Sequence, residues 1–176
     1  MKKTLLGIVG VMMITAMSAF AAFTPPTAAQ LTAAANNPAA IAALLEGASP
    51  EQAAQVIKAV VVQIASMGLS APAQAASIGS VIAAAFSAAP AGSAPMLAAS
   101  LGTACGASLA VSGNPAVVSS IQGAIATAGG SGGAAMAQTF GTAYSEAKAA
   151  SQASNNDVLG SAPPLATGYT GQQNPI

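Results

Sequence analysis

The chain has 176 residues, 53% hydrophobic and 5% charged, with four lysines, four carboxylates, one cysteine and no histidine, arginine or tryptophan. Isolated lysines cannot replace the counterions on nucleic-acid phosphates, which excludes a nucleic-acid binder. A lone Cys105 cannot form an intramolecular disulfide, and without histidine it has no partner to take its proton, which argues against a thiol enzyme.

In chain order, Met1-Lys2-Lys3 precedes an apolar run from Leu5 to Met17 and then Ala19-Phe20-Ala21. A basic start, a short apolar segment and an A-x-A site have the architecture of a Sec signal peptide. A retained anchor needs about 20 apolar residues, and this run, interrupted by Gly7, Gly10 and Thr15, is shorter. The expectation is cleavage after Ala21 and export to the periplasm or the extracellular space. No cysteine follows the apolar run closely enough for lipoprotein processing. The mature chain then keeps Lys58 and Lys148 against Glu46, Glu51, Glu146 and Asp157, a slightly acidic balance.

From residue 22 to 152 the sequence predicts an Ala-rich helical domain. Alanine is the best helix former, and the interruptions carry start and stop chemistry. Thr27 to Gln30 and Ser49-Pro50-Glu51-Gln52 have capping-box spacing, the second with proline at the first helical position. Asn37-Pro38 and Asn114-Pro115 repeat the cap-then-proline arrangement, with looser copies at Ser70-Ala71-Pro72 and Ser93-Ala94-Pro95. Gly47, Gly68 and Gly129 fall where left-handed C-caps belong.

Between these marks the apolar residues recur with helical period. Val56, Ile57, Val60, Val61 and Ile64 form one stripe; Ile78, Ile82, Ala85 and Phe86 form the next. Then follow Leu97, Leu101, Ala104 and Cys105, with Leu109 in the same register; Val117, Val118, Ile121 and Ile125; and Met136, Phe140 and Tyr144. Cys105 is therefore expected in the core as a small apolar residue, the alternative being a disulfide between two chains. Pro50, Pro72, Pro95 and Pro115 are 22, 23 and 20 residues apart, one helix and a turn each time. The fold class is all-α: an antiparallel bundle or a short α-solenoid of about six or seven helices.

Gly129 to Gly133 is expected as a hinge before the last helix, since no lysine follows it and no strand precedes it to make a phosphate loop. Residues 153–176, rich in Pro, Gly, Asn and Gln, are expected to be a disordered tail.

No catalytic, cofactor-binding or metal-binding residues emerge. Glu51 is accounted for by the start of its helix, and Glu146 and Lys148, two apart, do not face each other. The function expected is therefore non-enzymatic: an exported helical scaffold or interaction module, with an unidentified protein partner or a second copy. Ala98, Gly102 and Gly106 form a small-residue face suited to close helix contact, within one chain or between two. The alternative is a membrane-active helical protein of the pore-former or bacteriocin type. Basic faces and aromatic anchors, usual in surface-active helices, are scarce here.

Overall fold

The computed structural model describes residues 23–160, with side chains as far as Asn155. Residues 1–21, read as the signal, lie outside the described residues, as does the tail beyond Gly160. All the regular structure described is helical: α1 (Ala28–Asn36), α2 (Ile41–Leu44), α3 (Pro50–Ser66), α4 (Ala71–Ala88), α5 (Ala94–Gly106), α6 (Leu109–Ser112), α7 (Pro115–Ala128) and α8 (Gly133–Gly160). Six of these are substantial; α2 and α6 are single turns, and 3-10 turns at Pro38–Ala40 and Gly130–Gly132 complete the path.

The helix starts follow the capping chemistry. At α1, Gln30 N–H donates to Thr27 Oγ1 at 3.3 Å while Thr27 N–H donates to Gln30 Oε1 at 2.8 Å. Ser49 and Gln52 make the same reciprocal pair at α3, with distances of 3.3 and 2.9 Å. These boxes satisfy amide donors that the first turn leaves without helical partners. Asn37 caps the first 3-10 turn and Asn114 caps α7. Ser70 and Ser93 make no side-chain cap; proline in the first turn marks the start of α4 and α5 instead.

The stripes form the core. Ile57, Val60, Val61 and Ile64 of α3, Ile78 and Ile82 of α4, Leu101 and Cys105 of α5, Ile121 and Ile125 of α7 and Phe140 of α8 are fully enclosed. Leu109 departs from its expected register. Helix α5 ends at Gly106 and the chain turns before α6, so Leu109 is 75% exposed.

The topology is a bundle rather than a solenoid. In a solenoid each unit touches only its sequence neighbours. Here the most extensive contacts are between α5 and α8 and between α4 and α7, which skip intervening helices, and α3 packs on both α4 and α5. Helices α7 and α8 are antiparallel: Gly133 lies against Ala126, and Gln122 Nε2 donates to the Ala137 carbonyl at 3.3 Å. The α5–α8 pair is parallel. Gly102 faces Phe140 to Tyr144, and Gly106, one turn later, faces Tyr144 to Lys148. The single turn of α6 and the return through α7 give α8 the direction of α5.

Gly47 and Gly68 hold the left-handed φ expected of C-caps, at 72° and 67°. Gly129 does not: its φ is −76°, and the left-handed residue is Gly130 at 54°. Where a hinge is expected, Gly130–Gly132 form an exposed 3-10 turn that ends on a packed residue. Gly133 is buried, and a Cβ there would overlap the Ala126 backbone. Helix α8 also runs to Gly160, past the residue 153 boundary read from composition.

Candidate functional site

The titratable side chains are scattered. Ser49 Oγ donates to Glu51 Oε2 at 2.7 Å, and this bond, with the backbone amide of Glu51, holds the carboxyl below the ordinary carboxylate range. The charged form is thereby tied to the start of α3, where the helix dipole also favours it. Lys58 Nζ donates to Gln55 Oε1 at 2.6 Å.

Cys105 is wholly enclosed, and burial pushes its thiol up to about 12, against a smaller opposing effect from the Lys58 charge. Forming a thiolate there requires taking a charge into the core. Cys105 therefore behaves as an apolar packing residue, as its place in the α5 stripe implies.

Among the described residues, a polar cluster bridges distant segments where α6 meets α8. Tyr144 Oη and Lys148 Nζ both donate to the Ser112 carbonyl at 3.4 Å. Lys148 Nζ also stands 5.8 Å from the centre of the Tyr144 ring, and that ring stacks on Phe140 at 6.1 Å between centroids. The arrangement ties the last carbonyl of a one-turn helix to α8. Its groups are already engaged with one another, which is the work of a brace. Glu146 is exposed and apart from it. Among the described residues, no group of three or more His, Cys, Asp or Glu side chains is gathered to hold a metal ion.

Two neutral concavities stand out among the described residues. No charged residue occurs between Lys58 and Glu146, a stretch that covers α4 to α7 whole. A groove of about 440 Å³ runs between α4 and α7, lined by Ala75, Gly79, Ala83, Gly123, Thr127 and neighbouring small residues. Among the described residues, a Cβ added at Gly79 or Gly123 meets nothing within 4 Å. The second is a cavity of about 300 Å³ where the start of α3, the end of α4 and the start of α5 fail to meet. Leu45, Ala53, Ala85 and Leu97 are among its lining residues, and Met96, 57% exposed, stands at its rim.

The expected small-residue face of α5 is spent inside the chain. A Cβ on Gly102 would overlap the Phe140 carbonyl, and one on Gly106 the Tyr144 carbonyl, with Ala143 and Ala147 Cβ atoms 3.0 Å away. That face therefore packs within the chain. The α4–α7 groove and the cavity were not singled out from sequence, because both arise from how far apart distant helices sit. The only available signal was the long run without charge.

No protein-family description, no curated protein and no solved structure matches the chain.

Proposed function

We propose that the protein is an exported, non-enzymatic helical scaffold that works by contact with a second copy or with another protein. The observation that carries this reading is the uncharged small-residue groove between α4 and α7, in which Gly79 and Gly123 are open. Such a surface lets another backbone approach closely and opposes it with no charge. Export rests on the Met1 to Ala21 segment. Material recovered outside the cytoplasm should begin at Ala22 by N-terminal sequencing; Met1 retained in an inner-membrane fraction would overturn the export step.

A second reading, membrane activity, has one observation in its favour. Helix α4 is long and apolar enough to cross a bilayer by length and composition, and 28% of it is buried. The core helix of a water-soluble bundle has the same character, since α4 sets Ile78, Val81, Ile82 and Phe86 into the interior.

One pair of measurements separates the two. The scaffold reading expects light scattering of the purified exported protein to give a folded species, with a melting temperature that rises with protein concentration as association stabilises it by mass action. It expects no dye release from liposomes. Release at micromolar protein without a receptor would replace it with the membrane-active reading.

A further inference from the structure

We propose that the cavity bounded by the start of α3, the end of α4 and the start of α5 is a binding site for a small, uncharged, mainly hydrocarbon molecule. Its size comes first. At about 300 Å³ it sits at the lower end of ligand-pocket volumes. A dry apolar cavity of about 150 Å³ accommodates benzene. Twice that volume suits a fused pair of rings or a chain of about eight to ten carbons.

The lining decides the chemistry. No residue on the wall carries a charge. The only side-chain hydroxyl, on Ser93, donates to the Pro90 carbonyl at 2.7 Å and so is directed into its own turn. A bound water needs two to four polar partners, and the side chains here offer only the Ser93 oxygen, as an acceptor. A charged ligand would lose its hydration without compensation, whereas a hydrocarbon gains the dispersion contacts that the wall now lacks.

The cavity is also built into the sequence. Alanine at 48, 53, 85, 88 and 89 occupies positions where a longer side chain would close the space. Ala85 and Leu97 are 0% and 2% exposed, so the floor belongs to the core, while Met96 at the rim is free to cover an occupant. This site is separate from the α4–α7 groove, and its occupancy does not depend on the scaffold reading.

The test uses the whole expressed protein and two neutral probes, naphthalene and n-octanol. The chain has no tryptophan, so naphthalene emission can be followed directly. The expected result is saturable binding of one naphthalene per chain, displaced by n-octanol, with a melting temperature that rises with probe concentration. Naphthalene-2-sulfonate should bind at least about tenfold more weakly, since its charge has no partner in the cavity.

Ala53→Met and, as a second filling variant on a different segment, Ala89→Leu should each weaken naphthalene binding by about tenfold or more without lowering the melting temperature of the free protein. Ala76→Leu, in the α4–α7 groove, should bind as the parent does. Absence of saturable binding up to the solubility of both probes would overturn the proposal. So would equal affinity for the sulfonate, or undiminished binding in both filling variants. Sedimentation of the same samples without probe tests a second copy as the occupant: dissociation of an existing oligomer by Ala53→Met would overturn the small-ligand assignment.

Discussion

The α5–α8 crossing and the α4–α7 groove are written in the same small residues and end in opposite states. On α5, Gly102 and Gly106 lie one turn apart and are covered by the backbone of α8. On α4 and α7, Gly79 and Gly123 sit mid-helix beside Ala, Ser and Thr and face open space. A glycine in a helix is therefore not evidence of a contact. What separates the two regions is the length and placement of α8, the 28-residue helix that the α6–α7 return lays along α5. The first region holds the chain together, and the second stays open among the described residues.

Both regions depend on α3, which packs against α4 and α5 alike. The largest effect is expected there. Ile57 is fully enclosed, and Ile57→Asp would put a carboxylate in the core with no partner, costing roughly 4 kcal/mol or more. Gln55→Asp, on the exposed face of the same helix, should stay within about 0.5 kcal/mol. Urea unfolding of the two variants measures the difference; equal losses would mean that α3 presents another face to the core.

Next in size is the crossing itself. Gly102→Ala and Gly106→Ala each add a Cβ where a backbone carbonyl of α8 already lies. Backbone is not a flexible side-chain end that can swing away. Each substitution should destabilise by roughly 1–3 kcal/mol, although alanine is the better helix former. A neutral or stabilising result from denaturant unfolding would mean that the two helices are not in close contact.

Cys105 lies beside this crossing and gives a pH signature. Its folded-state pKa is about 12, above the roughly 8.5 of an exposed thiol. The unfolded chain therefore releases the thiol proton first as pH rises. The contribution of Cys105 to stability is complete below about 8.5 and is lost progressively as pH climbs toward 12. Unfolding free energy followed from pH 8 to 11 should decline more steeply in the parent than in Cys105→Ala. Parallel curves would show the thiol to be exposed.

The local features were legible, since each is decided within a turn or two of chain. The two capping boxes, the proline-marked starts and the apolar stripes all depend on neighbours three or four residues away. The structure departs from local pattern where that range ends. Leu109 continues the stripe of Cys105 arithmetically, but the helix stops at Gly106, and periodicity does not report a break made by tertiary packing. Gly129 is the C-cap that its position predicts, but the left-handed conformation falls one residue later, on Gly130. The parallel course of α5 and α8 was not legible either. Antiparallel neighbours are the default for short connections, and only the intervening α6–α7 return reverses that here. The cavity was hidden for the same reason, because its walls come from Leu45, Ala85 and Leu97, which are distant in sequence.

The smallest effect has the opposite sign and bears most directly on the comparison. Gly79 and Gly123 sit inside α4 and α7, where glycine lacks a side chain to restrict the unfolded backbone. Among the described residues, a Cβ at either position meets nothing within 4 Å. Gly79→Ala and Gly123→Ala should therefore each stabilise the monomer by about 0.5–1 kcal/mol. Paired with the losses at Gly102 and Gly106, this is a change of sign between two glycine pairs in one protein. It also separates the groove from its occupant. If another backbone seats against Gly79 and Gly123, the same alanines that raise monomer stability should weaken the association seen by light scattering. A monomer gain with association unchanged would place the contact surface elsewhere on the molecule. Losses in monomer stability would mean that the groove is already closed within the chain, and the distinction between the two regions would fail.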